Sequence, residues 1–261
     1  MEVKDILRIT LAQTDIVWES PVQNRMNLEV QIRQLIGQSD LVILPETFTT
    51  GFSMRASELA ETMDGPTISW LCNLSQATGI AIGGSLLVKE NGLFYNRFVF
   101  VTPHREVFHY DKRHLFSIGG ESDSFTAGDQ RVIVNYMGWR IALYTCYDIR
   151  FPVWCRNVND TDLMIFTANW PSSRNEVWKI LLKARAIENQ VYAAGVNRIG
   201  KDGNDISYIG ESQIINSRGE VLSNLNGAIE GFFTCSIPKS ALNEFREKFP
   251  VSNDADRFLI I

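Results

Sequence analysis

The sequence predicts an α/β fold in which mixed sheets and helices form layers. Three observations on the 261-residue chain support this prediction. Strand-like apolar segments alternate with helical segments, which is typical of layered α/β proteins. Short turns join some neighbouring strands, and such hairpins add antiparallel pairs to the sheets. No linker or low-complexity stretch divides the chain, so we expect one domain over residues 1–261, with a tail at about 250–261.

The first predicted elements are a buried strand, an amphipathic helix and a short second strand. The strand covers ILRITLAQ (6–13), which is apolar and rich in β-type residues. The helix lies within residues 22–36, where apolar side chains recur near helical spacing: Met26, Leu28, Ile32 and Leu35. The second strand, LVILPE (41–46), ends at its proline, because proline lacks the N–H that a strand ladder needs.

A second helix and three more strands precede a long loop. The helix TISWLCNLSQATG (67–79) ends at Gly79, a common helix-terminating residue. The three strands are IAIGGSLLV (80–88), FYNRFVFV (94–101) and EVFHYDK (106–112). Residues 114–130 are polar and contain glycine, and loops of this length inside compact domains are often functional.

The second half of the chain repeats this alternation. RVIVNY and RIALYTC are predicted to form a hairpin through Met137-Gly138-Trp139, and a short helix is predicted at 152–158. The clearest helix of the chain is EVWKILLKARAIENQ (176–190). The remaining predicted elements are the strands DLMIFTANW, VYAAGVNR, SQIINSRGEVLS (with a hairpin turn at 217–220) and GFFTCSI, and the final helix ALNEFREKF.

The composition indicates which partners and compartment to expect. The net charge of −5 is spread along the chain without a Lys/Arg cluster, so we expect a small-molecule partner and neither nucleic acid nor a membrane. No apolar run approaches the roughly 18 residues of a membrane-spanning helix, and the N-terminus does not resemble a signal peptide. The four cysteines lack the close spacing of a zinc site. We therefore expect reduced thiols in the cytoplasm.

Three apolar strands end in a residue of catalytic type. These residues are Glu46, Lys112 and Cys146. Strand ends in layered α/β folds present side chains to a cleft on rigid backbone. A strand that ends in one polar residue is unremarkable by itself, but three such ends, one with a cysteine, predict a reactive site. The other cysteines, Cys72 and Cys155 in predicted helices and Cys235 in a strand, are expected to be small buried apolar residues.

A cysteine nucleophile needs a base, and histidine is the usual one. The chain has three histidines, at 104, 109 and 114, spaced so that they cannot all face one pocket. A Cys–His hydrolase therefore stays open as an alternative, without a distinctive local signature. The same spacing suits neither helical nor strand geometry for a metal site, and no metal is expected.

Three segments resemble the motifs of the nitrilase superfamily, which are carbon–nitrogen hydrolases with a Glu-Lys-Cys triad. They are LPETFTTGF (44–52), YDKRHLF (110–116) and CYDIRFP (146–152), in family order. ANWP (168–171) and ARAIENQVYAAGVNR (184–198) continue the resemblance, which covers nearly the whole chain. The chain is most similar to the omega-amidase branch, especially its bacterial YafV-type members. The resemblance implies a four-layer α-β-β-α sandwich, a homodimer and no cofactor.

The resemblance also implies roles for individual residues. Cys146 matches the nucleophile, Glu46 the general base, and Lys112 the cation that stabilises the tetrahedral intermediate together with the N–H of Tyr147. Glu121, in the loop at 114–130, matches a second family glutamate that supports the triad. An amide substrate would then lose ammonia through a thioester on Cys146.

The substrate class follows from the omega-amidase resemblance. It implies dicarboxylate monoamides such as 2-oxoglutaramate and 2-oxosuccinamate, whose remote carboxylate needs a cation. Arg174 is the favoured cation, with Arg150 and Arg113 as alternatives. Four aromatic residues beside the motifs are expected to line the pocket: Phe52, Phe116, Tyr147 and Trp170. Nitrilase, carbamoyl amidase or acyl-transfer activity, and a non-catalytic binding role, stay open because pocket residues decide function.

Overall fold

The computed structural model describes residues 3–223, 227–256 and 258–260. The strands are β1 (Ile6–Gln13), β2 (Leu41–Ile43), β3 (Ala81–Glu90), β4 (Leu93–Val101), β5 (Val107–Asp111), β6 (Ile133–Tyr136), β7 (Trp139–Thr145), β8 (Leu163–Ala168), β9 (Tyr192–Asn197), β10 (Ile199–Lys201), β11 (Ser207–Ile209), β12 (Gln213–Ile215) and β13 (Gly231–Pro238). The α-helices are α1 (Pro21–Arg33), α2 (Ala56–Leu59), α3 (Pro66–Thr78), α4 (Glu121–Ser124), α5 (Asn175–Asn189) and α6 (Lys239–Lys248). Short 3₁₀ helices lie at Ser117–Gly119, Cys146–Arg150, Ser172–Arg174 and Val251–Asp254.

Two mixed sheets contain most of the strands. The first has the order β13-β1-β2-β3-β4-β5, and the second has the order β12-β9-β8-β7-β6. In each sheet three neighbouring strands are parallel, β1-β2-β3 and β7-β8-β9, and the strand on either side of each set is antiparallel to it. The last strand of the first sheet, β5, pairs antiparallel with β4. The mixed-sheet α/β prediction is therefore confirmed.

The two sheets pack face to face, with helices on the outside. Alternate residues of β4 show this arrangement, because Phe98 and Phe100 point into the core between the sheets while Val99 and Val101 point towards α1 and α3. Trp178 and Leu182 of α5 are fully buried and cover the other sheet. The order of layers is helix, sheet, sheet, helix, as predicted. No helix in the described ranges is both long and apolar enough to cross a membrane.

The predicted hairpin at 131–146 is present as the antiparallel pair β6–β7. Its turn residues, Met137 and Gly138, both have positive φ, 48° and 80°. Two such residues form the tight turn whose twist matches paired strands. The helix end predicted at Gly79 is also observed, with left-handed backbone at φ 71°.

The helix predicted at 152–158 is wrong. The helical turn begins earlier, at Cys146, and ends at Arg150. Phe151 has φ −111° and ψ 86°, which fits the bias of a residue before proline away from helix. Downstream, the Asn157 side chain accepts hydrogen bonds from the N–H groups of Asp160 and Thr161, and such local bonds compete with helix formation.

The predicted environments of the three other cysteines are only partly confirmed. Cys72 lies in α3 and is buried, as expected. Cys155 is buried in a turn and not in a helix, because the predicted helix is absent. Cys235 lies on β13 but is only half-buried, because β13 is an edge strand of the first sheet.

Candidate active site

The three strand ends singled out in the sequence meet at one place. Glu46 follows β2 by three residues, Lys112 directly follows β5, and Cys146 directly follows β7. The Lys112 Nζ lies 2.8 Å from Oε1 of Glu46. All three side chains line one cavity, so the site joins the first sheet to the second.

Glu121 completes a buried charged group with Glu46 and Lys112. Its two carboxylate oxygens lie 3.0 and 2.8 Å from the Lys112 Nζ, and the N–H of Phe116 donates to it over 2.6 Å. Helix α4 begins at Glu121, which places the carboxylate in the loop where it was predicted. Glu46 and Glu121 are 0% exposed and Lys112 is 1% exposed. One ammonium therefore faces two carboxylates away from water.

Two asparagines also hold these carboxylates, and neither was singled out in the sequence. Asn96 Nδ2 donates to Oε1 of Glu46 and to Oε1 of Glu121 over 2.8 and 2.9 Å. The backbone N–H of Asn169 donates to Oε2 of Glu46 over 2.8 Å. The only sequence signal for them was their place in two quoted stretches, FYNRFVFV and ANWP. We call Glu46, Lys112, Glu121 and Asn96 the floor cluster.

The charges of the floor cluster act on one another. Burial acts to lower the pKa of Lys112, but the charges of Glu121 and Glu46 outweigh it and raise that pKa. Burial raises the pKa of Glu121, and Glu46 adds to the rise while Lys112 opposes it. The ammonium of Lys112 is therefore retained between the two carboxylates.

Cys146 lies on a sharp turn between β7 and a 3₁₀ helix. Its backbone has φ 45°, a left-handed conformation that is uncommon for residues other than glycine. The side chain is 9% exposed, and its Sγ lies 4.0 Å from the carbonyl oxygen of Asn169. Burial raises the pKa of the thiol, and the charge of Glu46 raises it further, against Lys112. The resting group is a thiol, so attack requires a base.

A buried carboxylate behind the turn fixes this geometry. Asp148 accepts hydrogen bonds from the Thr145 N–H over 2.9 Å and from the Tyr110 hydroxyl over 2.7 Å. It also accepts from the N–H of His114 over 3.0 Å and contacts that residue's Nδ1 at 2.8 Å. Asp148 thus joins the nucleophile turn to the strand that precedes Lys112.

None of the three histidines lines the cavity that holds Cys146. His114 is engaged with Asp148 and its ring stacks on Phe151 at 3.7 Å. The Cys–His alternative therefore has no geometric support, whereas Glu46 lies in the same cavity as the thiol. In the described part of the chain no group of three or more His, Cys, Asp or Glu residues could hold a metal ion.

The cavity above Cys146 has a volume of about 380 Å³. The structure places all five predicted substrate-binding residues on its wall: Phe52, Phe116, Tyr147, Trp170 and Arg174. Arg150, Ile118 and Tyr208 also line it, and the sequence did not single out the last two. Whether these residues bind substrate stays a prediction.

Two of the three candidate arginines lie at the mouth of this cavity. The Arg150 guanidinium lies 5.3 Å from the ring centre of Trp170, and the Arg174 guanidinium lies 5.3 Å from that of Phe116. Both are exposed, and neither pairs with a carboxylate within the described ranges. Arg113 instead donates to the Gly128 carbonyl and lines a different cavity. The mouth thus holds two cations above a buried thiol, and neither has a carboxylate partner among the described residues.

The chain matches known proteins over almost all its length. Residues 8–247 match the family described as Carbon-nitrogen hydrolase. An Omega-amidase YafV from Escherichia coli K12 is 42% identical over 252 residues, which are 97% of this chain and 98% of that protein. A 2-oxoglutaramate amidase from Bacillus subtilis is 33% identical, over 94% of this chain and 96% of that protein.

Solved structures share the fold. A Xanthomonas campestris protein of the CN-hydrolase superfamily, with an arsenic adduct in its active site, superposes with a TM-score of 0.96 at 44% identity, covering 99% of this chain and 100% of that chain. An amidase from Nesterenkonia, with acrylamide added at its active-site cysteine, has a TM-score of 0.83 at 25% identity, covering 94% of this chain and 98% of that chain.

Proposed function

The chain belongs to the carbon–nitrogen hydrolase family, whose members hydrolyse carbon–nitrogen bonds other than peptide bonds, and we propose that it acts on dicarboxylate monoamides such as 2-oxoglutaramate and 2-oxosuccinamate. The observation that carries this proposal is the pairing of two features in one cavity. A thiol lies beside a Glu-Lys-Glu group at the floor, and at the mouth lie two arginines that pair with no carboxylate of the described residues. The floor suits amide cleavage, and the mouth suits a substrate that carries a carboxylate.

In the first half-reaction, Glu46 takes the proton from Cys146 as Sγ attacks the amide carbonyl carbon. The carbonyl oxygen becomes an oxyanion, which the Lys112 ammonium and the N–H of Tyr147 stabilise. The tetrahedral intermediate then collapses and breaks the carbon–nitrogen bond. Glu46 returns the proton to the departing nitrogen, which leaves as ammonia. The acyl group remains on Cys146 as a thioester.

In the second half-reaction, Glu46 removes a proton from a water molecule that attacks the thioester. The oxyanion forms at the same place and is stabilised by the same groups. Collapse expels the Cys146 sulfur, which regains the proton, and the acid product leaves. Glu121 holds the Lys112 ammonium with both of its carboxylate oxygens, so the ammonium stays charged and in place through both halves.

Substrate selection lies at the mouth. A carboxylate at the far end of the substrate can form charge-assisted hydrogen bonds with Arg174, the favoured residue, or with Arg150. Each guanidinium already lies over an aromatic ring, which restricts its motion at little cost. The volume of about 380 Å³ suits a small substrate. The similarity to a 2-oxoglutaramate amidase supports this choice of substrate.

The test is ammonia release from 2-oxoglutaramate by the purified protein. Glutamine, asparagine and a simple nitrile serve as comparison substrates, and Cys146→Ala and Cys155→Ala serve as matched variants. We expect rapid release that strongly prefers the keto-acid amide, disappears in Cys146→Ala and persists in Cys155→Ala. An untouched keto-acid amide would refute the substrate and direct the search to nitriles, carbamoyl amides and acyl transfer.

Thiol labelling separates an enzyme from a non-catalytic binding protein of this fold. A base-assisted Cys146 should alkylate much faster than Cys72, Cys155 and Cys235. Equal and slow labelling of all four cysteines would favour a binding protein. Because the reaction needs a free thiol, we also propose a cytoplasmic location, where thiols stay reduced. We expect no nucleic-acid or membrane partner.

We further propose that the protein is a homodimer. Trp154, shortly after the nucleophile turn, is buried and its N–H donates to the Tyr110 hydroxyl, so it belongs to the core and not to a pairing surface. The neighbouring Val153 and Val158 are 56% and 60% exposed, and Ile187 of α5 is 47% exposed. These exposed apolar residues, near the nucleophile turn and on α5, support pairing there. Light scattering should give twice the chain mass, and Val153→Glu should reduce it.

A further inference from the structure

Asn96 closes a ring of four hydrogen-bonding groups in the floor cluster. Its Nδ2 donates to one oxygen of Glu46 over 2.8 Å and to one oxygen of Glu121 over 2.9 Å. The Lys112 ammonium donates to the same two oxygens over 2.8 and 3.0 Å. Each of these carboxylate oxygens therefore lies between one charged donor and one neutral donor.

The orientation of the Asn96 amide is determined by its partners. Both neighbours of Nδ2 are carboxylate oxygens, so the reversed amide would set oxygen against oxygen. In the observed orientation Oδ1 is buried and has no hydrogen-bond partner in the described residues. Such an orphaned buried atom is costly and calls for an explanation beyond packing. The contacts of the NH₂ group with two carboxylates provide one.

The backbone holds Asn96 firmly against Lys112. The N–H of Lys112 donates to the carbonyl of Asn96 over 3.0 Å, next to the paired residues Arg97 and Asp111 of β4 and β5. The Arg97 guanidinium binds both oxygens of Asp111, over 2.6 and 2.9 Å. This bidentate contact fixes the register of the two strands. The amide is thus preorganised towards the carboxylates.

We propose that Asn96 is a positioning residue that keeps both carboxylates of the floor cluster ionised, so that Glu46 stays free to take the thiol proton. Two carboxylates buried side by side tend to share one proton. The single ammonium of Lys112 balances only one of their charges, and the two N–H groups of Asn96 favour the charged form of both. The inference rests on the proposed roles of Glu46 and Cys146.

The charged and titratable groups around Glu46 come from four elements. Lys112 follows β5, Glu121 begins α4, and Cys146 begins the 3₁₀ helix after β7. The fourth is Tyr208 on β11, whose pKa is raised by burial, by its hydrogen bond to Asp202 and, to a smaller extent, by the charge of Glu46. Only Lys112 supplies positive charge among these groups, so neutral donors matter for keeping Glu46 ionised.

The test measures the alkylation rate of Cys146 by iodoacetamide from about pH 5 to about pH 9. No amide substrate is present, so an error in the proposed substrate leaves the result intact. In Asn96→Leu we expect the acid limb of the rate profile to move to higher pH by about one unit. A shift of this size corresponds to the free energy that one hydrogen bond to a charged group contributes. The rate should recover at high pH, so that the loss is confined to the acid side of the profile.

The matched control is Asn24→Leu. Asn24 is 3% exposed, and its side chain bonds only to backbone atoms of Val17 and Thr49, away from the cavity. It should lose stability without moving the profile. An unmoved profile in Asn96→Leu, with a stability loss like that of Asn24→Leu, overturns the proposal. If Asn96→Leu does not fold, Asn96→Ser takes its place, because it retains one donor. The acid limb of the Asn96→Ser profile should move in the same direction by a smaller amount, and an acid limb that stays in place overturns the proposal.

Discussion

The floor cluster and a second ionic cluster, built around the buried Asp162, differ in their ratio of cations to carboxylates. In the floor cluster, one cation faces two carboxylates. In the Asp162 cluster, one carboxylate faces three cations, from Arg140 at 2.6 Å, Lys239 at 2.9 Å and Arg246 at 3.0 Å. Both Asp162 and the two glutamates of the floor are 0% exposed.

The proportions have opposite effects on proton affinity. Burial acts to raise the pKa of Asp162, but hydrogen bonds from Arg140 and Lys239 outweigh it and lower that pKa. At the floor, burial and a second carboxylate raise the pKa of Glu121. The Asp162 cluster keeps its carboxylate ionised, which suits a structural role. The floor cluster, with its excess of carboxylates, can accept and release a proton, which suits acid–base catalysis.

The largest expected effect comes from removing the cation of each cluster. Lys112→Met removes an oxyanion donor and leaves two buried carboxylates without a counter-charge, so we expect kcat to fall by at least about 10³-fold. Lys239→Met leaves Asp162 with two arginines and should keep kcat unchanged. Steady-state ammonia release measures both. Similar losses in the two variants would break the distinction between the clusters.

Asp162→Asn should mainly affect stability. It leaves three cations without their carboxylate, and we expect the free energy of unfolding at neutral pH to fall by about 3 kcal/mol. Urea denaturation measures this change, and kcat should be unaffected while the protein is folded. Asp160→Asn is the nearby control, because Asp160 pairs with Arg131 at 3.4 Å in partly exposed surroundings. It should cost under about 0.5 kcal/mol.

Asp40, with two cations, sharpens the comparison through its pH dependence. Burial acts to raise its pKa, but hydrogen bonds from Arg8 and Lys4 outweigh burial and lower the pKa to about 2. The stabilisation is therefore complete above about pH 4 and is lost as the pH falls towards 2. Asp40→Asn should cost about 2 kcal/mol at neutral pH and almost nothing near pH 2. Urea denaturation at both pH values measures the free energy of unfolding of the unmodified protein and of Asp40→Asn. A difference between them that is independent of pH would contradict this prediction.

The smallest expected effect concerns the arginines at the mouth, which pair with no carboxylate in the part of the chain that the structure describes. Arg174→Ala should raise KM for 2-oxoglutaramate about tenfold and leave kcat nearly unchanged, because the lost contact is the same in the ground and transition states. KM for an uncharged amide should not change. Arg150→Ala tests the alternative cation. A fall in kcat with constant KM would place the affected arginine in the chemistry.

The residues at strand ends were predictable, and those within strands were not. Glu46, Lys112 and Cys146 each interrupt an apolar run, so both their type and their position were visible in the sequence. Asn96 lies inside β4, where the strand pattern alone does not reveal that its side chain faces two carboxylates from distant segments. Asn169 holds Glu46 both through its backbone N–H, which donates to Oε2, and through its side-chain Nδ2, which donates to the carbonyl oxygen. The strand pattern reveals neither contact, because Glu46 lies on a distant segment.

The errors arose where local and long-range interactions compete. The helix predicted at 152–158 relied on a proline placed at its first turn, but the Asn157 side chain accepts hydrogen bonds from nearby backbone N–H groups, and these local bonds compete with a helix. The position of Arg150 over the ring of Trp170, at the mouth of the cavity, was also not visible in the sequence. Contact with a residue twenty positions away is decided by tertiary packing, which spacing rules do not capture.

The strand order has a consequence for how the protein is made. Strands β6 to β9 and β12 lie between residues 133 and 215 and form the second sheet from one stretch of chain. The first sheet pairs β1 with β13, and this pair can form only after the ribosome has released β13. During synthesis, therefore, the second sheet can assemble early, while completion of the first sheet comes last and requires distant chain segments to meet.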